Sequence, residues 1–397
     1  MKKIKNICSR FSSGNFISAE KISDSGKFPV YGGNGLRGYT ENFNFDGECA
    51  IIGRQGAYCG NVKFFSGKGH MTEHAIVAVA NEESFTKFLY YKFCLMNFGK
   101  YASQSAQPGL SAEFISNLEI DLPPLEVQKQ IGNFLYSLDK KIALNKKINA
   151  TLEDMAKTLY DYYFVQFDFP DENGKPYKSS GGKMIFSPEL QREIPEGWEV
   201  KKLSELCKFI RGVTYDKKEI LNYPEKNYIP IFRANNISNC RLNFENLVYV
   251  PKKYVSDEQI LKLNEILITM SSGSTEHIGK LSRFDYESKY SFGAFCSKIS
   301  VNNLSEKYFI YEHLISNEFK SYVRNMCLGT NIKNLNNEHL KKAFIILPAI
   351  SVLKKYDDSV DKFFKMIQKN NQENNLLENL RDFLLPLLMN GQVTFAD

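Results

Sequence analysis

The feature that constrains this chain most is that it repeats itself. Shifted by 225 residues, "LPPLEVQKQIGNFLYSLDKKIALNKKINATLEDMAKTLYDYYFV" (122–165) falls on "LPAISVLKKYDDSVDKFFKMIQKNNQENNLLENLRDFLLPLLMN" (347–390) without a gap. Identities include Leu122/Leu347, Pro123/Pro348, Val127/Val352, Ile142/Ile367, Asn145/Asn370, Asn149/Asn374, Leu152/Leu377 and Glu153/Glu378. The same shift lays "GLSAEFI" on "NLNNEHL". Nearer the start the offset changes, but "IKNICSRFSSG" still resembles "LSELCKFIRG" and "FPVYGGNG" resembles "IPIFRANN". Each half is thus a globular segment followed by a long helical one, and two copies of one unit imply a pseudo-twofold arrangement. The segments are a first globular part (1–121), a first long helix (122–167), a linker (168–197), a second globular part (198–346), and a second long helix with a C-terminal tail (347–397).

The helical segments carry a seam. Steps of four and three from Ile131 give Leu135, Leu138, Ile142, Asn145, Asn149, Leu152, Ala156, Leu159 and Tyr163. Adding 225 gives Tyr356, Val360, Phe363, Ile367, Asn370, Asn374, Leu377, Arg381, Leu384 and Leu388. Apolar residues flank two asparagines near the middle of each stripe. In an antiparallel pair, Asn145 and Asn149 face Asn370 and Asn374, and buried amides disfavour slipped registers that leave them among hydrophobes. The alternative stripe, Leu144 and Ile148, has Lys369 and Glu373 as its repeat partners and is not preserved. About 40 residues per helix correspond to about 60 Å, the length of a spacer. The linker "DFPDENGKPYKSSGGKMIFSPELQREIPEG" is rich in Pro, Gly, Ser and charge and reads as mostly irregular, with a short helix near Ser187–Glu193.

Composition bounds the rest. The chain has 397 residues, a globular hydrophobic fraction of 43% and a net charge of +6. The surplus is concentrated in 198–346, with 22 basic against 16 acidic residues, a balance compatible with nucleic acid without requiring it. No run approaches a membrane span and "MKKIKNICSRFSSGNF" lacks the apolar core of a signal peptide. Eight scattered cysteines with no C-x-x-C pair suggest reduced thiols in a cytoplasm.

Catalytic signatures do not assemble. "GNGLRG" (33–38) is a formal dinucleotide fingerprint, but no helix period follows it, so a turn-rich loop between strands fits better. "GGKM" (181–184) is not a P-loop. "DLPPLE" (121–126) puts leucines where an amine methyltransferase needs a polar and an aromatic residue, and reads as a helix start. "HMTEH" (70–74) lacks a third ligand, and His277, His313 and His339 show no nucleophile pattern. Binding is favoured over catalysis.

The string "FPVYGGNGLRGYTENFNFDGECAIIGRQGAYCGNVKFFSGKGHMTEHAIVAV" (28–79) and the junction "SQSAQPGLSAEFISNLEIDLPPLEVQKQI" (103–131) resemble the target-recognition domain of Type I restriction–modification specificity subunits. "IPIFRANNIS" (229–238), "ILITMSSGSTEHIGKLSRF" (266–284) and "LGTNIKNLNNEHLKKAFIILPAI" (328–350) look like a divergent second copy, so the resemblance covers nearly the whole chain. It implies an α/β fold of the α+β type: two target-recognition domains with curved sheets, separated by two long helices packed as an antiparallel coiled coil. It further implies that each domain reads one half of an asymmetric, bipartite double-stranded DNA target. Two modification subunits would bind S-adenosylmethionine and methylate adenine, and restriction subunits would use ATP and Mg. This chain itself would bind no cofactor and no membrane. A duplicated scaffold that binds such enzymes without reading DNA is the alternative.

Residue by residue, "GRQGAYCG" (53–60) is the leading first-domain contact loop. Arg54 suits guanine O6/N7, Gln55 suits adenine N6/N7, and Tyr58 lies between permissive glycines. Gln104 and Gln107 form a second candidate; Arg37 and Tyr39 belong either to a structural loop or to a contact loop. In the second half the counterpart loop offers Ser271, Ser272, Ser274, Thr275 and His277. Arg233, Asn235 and Asn236 suit base edges or phosphates, and Asn331 and Lys333 match the 106–108 region. Lys63 and Lys280 suit phosphate.

Overall fold

The structure, a computed structural model, describes residues 1–56, 58–103, 108–238, 240–272, 277–286, 289–328 and 334–395. The chain forms two compact units, 1–144 with 374–397 and 145–373. The division cuts both long helices, Leu125–Tyr160 and Ile350–Met389. Each globular half keeps the helical segments that cover its core.

The first unit is built on β1 (Cys8–Ser13), β2 (Phe28–Gly32), β3 (Gly35–Thr40), β4 (Phe45–Gly53), β5 (Val62–Met71) and β6 (Ala75–Ala80), in sheet order β1-β6-β4-β5-β2-β3. All neighbours are antiparallel except β2 and β5. The run Cys49–Ile52 in β4 is apolar at every position because both faces are covered. Ala50 and Ile52 join Ile76, Ala78 and the helix Thr86–Met96 in one core, while Cys49 and Ile51 join Phe45, Phe65, Met71 and Val77 in another. Ile131 and Leu135 of the first long helix and Leu388 and Met389 of the second close the former core. "YGGNGLRGY" is a hairpin: Gly32 pairs with Gly35 across a two-residue connection, and Gly35 has φ +97°. The glycines serve turn geometry, as the sequence suggests.

The second unit rebuilds this plan with β7 (Cys207–Arg211), β8 (Tyr228–Phe232), β9 (Val248–Pro251), β10 (Ile266–Thr269), β11 (Leu281–Arg283), β12 (Ser291–Phe292) and β13 (Cys296–Val301). The six-stranded sheet of the first unit is here split into β7-β13-β10-β11 and β9-β8-β12. The junction to the long helix is repeated in detail. Lys2–Lys3 pairs with Glu119–Ile120 as Glu199–Lys202 pairs with Phe344–Leu347. The Ile4 N–H donates to Leu118 O at 3.0 Å, and Leu203 N–H to Ala343 O at 2.9 Å.

One reading of the linker needs correction. No helix forms near Ser187–Glu193; Met184–Ser187 and Arg192–Pro195 form an antiparallel hairpin with Gln191 at φ +54°. Two short alternating stretches, with Ile185 opposite Ile194, satisfy their backbone groups in a ladder more easily than one turn of helix containing Pro188 could. The linker also packs on the second unit. Phe169 stacks on Tyr177 and on Trp198 with centroids 4.6 and 5.0 Å away, and Phe169, Ile194 and Trp198 belong to the core of the second unit. Aromatic residues hidden in a polar-looking stretch anchor it.

Candidate nucleic-acid interface

In each unit the candidate loop is held in one frame of backbone hydrogen bonds. In the first, Gly60 N–H donates to Gly53 O at 2.8 Å, Gly53 N–H to Asn61 O at 2.8 Å and Leu110 N–H to Arg54 O at 2.8 Å. In the second, Gly279 N–H donates to Thr269 O at 2.9 Å, Thr269 N–H to Lys280 O at 2.8 Å and Leu335 N–H to Met270 O at 2.9 Å. Gly60 and Gly279 both sit at positive φ, +89° and +79°, which a side chain would strain. The frame therefore matches Arg54 with Met270 and Gln55 with Ser271 while letting the second loop be longer.

Around the first loop several segments converge. Arg54 N–H donates to His74 O at 2.9 Å, the Arg54 guanidinium donates to Ser13 Oγ at 3.2 Å, and Gly56 N–H donates to Pro108 O at 3.0 Å. A Cβ on Gly53 would stand 2.4 Å from Gly33 O, so the hairpin tip of "YGGNG" packs backbone to backbone on this loop. Gln55 and Tyr58 are exposed, and Arg54 is partly so. Lys63 is exposed on β5, three residues beyond Gly60. Beside this frame Ser103 N–H donates to Gly109 O at 3.0 Å. Gln104, Gln107, Ser274, Thr275, Asn331 and Lys333 themselves lie outside the described residues.

In the second unit the candidates separate. Asn236 is a correction: it is 1% exposed and its amide is spent internally. Asn236 Nδ2 donates to Asn243 O and Glu245 O, and its Oδ1 accepts from Arg233 N–H at 2.9 Å. All this plugs a turn, leaving nothing for a base. Its neighbour Asn235 is exposed, and Arg233 donates to Asn246 O at 2.9 Å from a half-buried position. Ser271 Oγ is committed to Asn334 Oδ1 at 2.8 Å, a contact that braces the loop. Ser272 is half-buried beside it. His277 is exposed, with Nδ1 2.8 Å from the Lys280 amine. His74 Nε2 lies 3.1 Å from Glu73 Oε1, a local pair at the loop cluster.

The seam asparagines and their partners can be placed within the helices. Asn145, Asn149, Asn370 and Asn374 are all buried, whereas Leu144 and Ile148 of the alternative stripe are exposed. In the second unit Asn370 Nδ2 donates to Asn149 Oδ1 and Asn149 Nδ2 to Asn371 Oδ1, both at 2.8 Å, and Asn145 Nδ2 donates to Glu373 Oε2 at 2.7 Å. Glu373 and Asn371 thus act beside the register asparagines. Antiparallel pairing is evident within each unit: Ala156 and Tyr163 share a core with Tyr356 and Val360, and Ile131 and Leu135 share one with Leu388.

Two polar relays tie globular parts to helices, and neither is visible as a motif. In the first unit Tyr91 OH donates to Asp139 Oδ2, whose other oxygen accepts from Arg381 at 2.7 Å. In the second, Arg283 Nε donates to Asp285 Oδ1 at 2.7 Å and Asn371 Nδ2 to Asp285 Oδ2 at 2.8 Å. The relay continues into the seam at Asn149. The guanidinium of Arg283 also lies 4.6 Å from the Phe364 ring centroid.

Thiol chemistry is suppressed by burial, which pushes Cys8, Cys49, Cys207 and Cys296 up to about 12. No described helix is long and apolar enough to cross a membrane, and among the described residues no His/Cys/Asp/Glu cluster of three could hold a metal.

Comparison with known proteins bears on this geometry directly. The model of the Type I restriction modification DNA specificity domain matches residues 1–154 and again 195–379. The StySPI specificity subunit of Salmonella potsdam is 30% identical over 208 residues, 51% of this chain and 45% of that relative, so the match spans less than half its length. The MjaIX specificity subunit of Methanocaldococcus jannaschii is 26% identical over 313 residues, 78% of this chain and 69% of that one. In fold, the chain is similar to the Type-I restriction-modification system S subunit from M. genitalium, with TM-score 0.62 at 17% identity over 100% of this chain and 96% of the other. With two family matches on two copies of one architecture, this chain belongs to the Type I restriction modification DNA specificity family.

Proposed function

We propose that the chain is the non-catalytic sequence-reading subunit of a Type I restriction–modification complex, working in the cytoplasm. Each unit reads one half of an asymmetric bipartite target in double-stranded DNA. The observation that carries this reading is the shared loop frame carrying unlike loops: Arg54, Gln55 and Tyr58 reach the surface in one unit, whereas in the other Met270 is buried, Ser271 braces the loop, and the longer loop presents His277. A common frame positions a loop identically, and unlike side chains give it unlike base preferences. The long helices set the spacing between half-sites and dock two modification subunits, with restriction subunits joining the assembly. An exposed row on the second long helix, Leu376, Leu380 and Phe383 at i, i+4, i+7, supports such docking. S-adenosylmethionine, ATP and Mg belong to those partners.

The test is base-resolved sequencing of methyl-adenine in a methylation-free host expressing this chain with its modification subunit. Methylation confined to one bipartite motif, and lost when this chain is omitted, supports the reading. A complex that assembles and binds S-adenosylmethionine yet methylates nothing supports a non-reading scaffold. Arg54→Ala should weaken discrimination at one half-site by about 1–3 kcal/mol, roughly 5- to 150-fold, and leave the other intact. Equal loss at every position of both half-sites would count against base reading by Arg54.

A further inference from the structure

The second unit contains a cavity of about 310 Å³ that none of the candidate DNA contacts lines. Its wall is the end of the first long helix, where the chain widens into a π turn at Asp161–Val165 and Gln166 N–H donates to Asp161 O at 2.8 Å. Such turns recur at functional sites. Two of the residues that line it are notable. Glu312 and His313 are 2% and 6% exposed, and among the described residues neither Glu312 Oε2 nor His313 Nε2 has a hydrogen-bond partner. Leaving such groups unmatched is costly, and native interiors seldom do so without a reason.

The other charged side chains of the lining are already matched. Lys157 pairs with Asp161 at 2.6 Å and Arg192 with Glu318 at 3.2 Å. The rings of Tyr160, Phe164 and Phe309 also line the cavity. A carboxyl group without a counter-ion, an imidazole whose Nε2 accepts when its Nδ1–H is directed to Tyr160 OH 3.5 Å away, and aromatic faces together form a receptor for a donor-rich cation. We infer that this cavity binds a small primary ammonium compound, whose head donates to Glu312 and His313 against the aromatic wall.

The protonation states fit. Burial, then Asp161 and Glu153, push Glu312 up to about 8 against the pull of Arg283 and Lys157. Burial and then Arg192 lower His313 to about 4, so the imidazole is neutral at pH 7. The other groups facing Glu312, the Tyr160, Tyr311 and Tyr356 phenols and the Cys240 thiol, are raised by burial and stay uncharged. An ammonium must therefore displace a proton from Glu312 in order to bind at neutral pH. Its affinity rises about tenfold per pH unit below pH 8 and levels off above it, until the amine itself loses its charge near pH ~10.

The experiment is calorimetric titration of the full chain, free of DNA, with butylamine and with putrescine at pH 6, 7, 8 and 9. The expected result is saturable 1:1 binding with that pH dependence and release of about one proton per amine at pH 7, read from buffers of different ionisation enthalpy. Glu312→Gln, an isostere of the neutral acid, should keep its melting temperature and lose at least about tenfold in affinity at pH 8, together with the pH dependence. Absence of saturable heat at millimolar amine, or equal and pH-independent binding by the variant, overturns the proposal and leaves a cavity filled by water.

Discussion

Replacing Asp285 with alanine is expected to destabilise the second unit by about 3–5 kcal/mol, because it strands a guanidinium in the interior. Arg283 and Asp285 are 5% and 6% exposed in their side chains and 2.7 Å apart, so solvent cannot take over the lost counter-ion. The same change removes the acceptor of Asn371 Nδ2 and so reaches the seam, where Asn371 Oδ1 receives Asn149. Denaturant unfolding followed by aromatic fluorescence reads the loss. The double variant Arg283→Met with Asp285→Asn should recover most of it, since the amide keeps a partner for Asn371 and no charge remains buried. A measured cost for Asp285→Ala below about 1 kcal/mol would show that the pair is already hydrated and that the relay holds nothing. The pair is thus predicted to matter through its failure when broken rather than through its net strength.

What was legible in the sequence depended on local periodicity. The seam was legible because a 3–4 spacing repeats over ten positions and the repeat copy preserves the two asparagines. The identity of their partners was not. Asn371 and Glu373 lie off that spacing, and only the rotation between two packed helices brings them to Asn149 and Asn145. Likewise, Arg233, Asn235 and Asn236 read as equivalent polar residues in a loop. A short 3-10 turn at Ala234–Asn236 then directs Asn236 inward, where three backbone partners consume it, and leaves Asn235 outside. The hairpin at 184–195 was missed for a related reason: its strands are four residues each, too short to display a period against the charges around them. Loop frames were legible as glycine patterns, but their equivalence rests on carbonyl partners 50 to 65 residues away, such as Arg54 O for Leu110 and Met270 O for Leu335.

Inserting four residues into only one long helix, directly after Asn149, should abolish assembly. Four residues advance a helix by about 6 Å and turn it by about 40° relative to its partner. Ala156, Tyr160 and Tyr163 would then leave their places beside Tyr356 and Val360, and the core of the second unit cannot absorb that shift. Matching insertions at the division between the units, directly before Asn145 in the first helix and directly after Glu373 in the second, lengthen both strands of the pair at the same level and keep the Asn145–Glu373, Asn149–Asn370 and Asn371–Asp285 contacts together. The expected phenotype of this double insertion is a folded chain whose complex with the modification subunits methylates a target with both half-sites unchanged and the gap between them longer by about one or two base pairs, given 3.4 Å per base pair. Methyl-adenine mapping reads half-sites and gap in one experiment. Unchanged spacing from a folded double-insertion variant would sink the assignment of the helices as the ruler, even with the loops still reading their bases. The two insertions together therefore separate two roles that the seam combines: holding a core shut and fixing a distance.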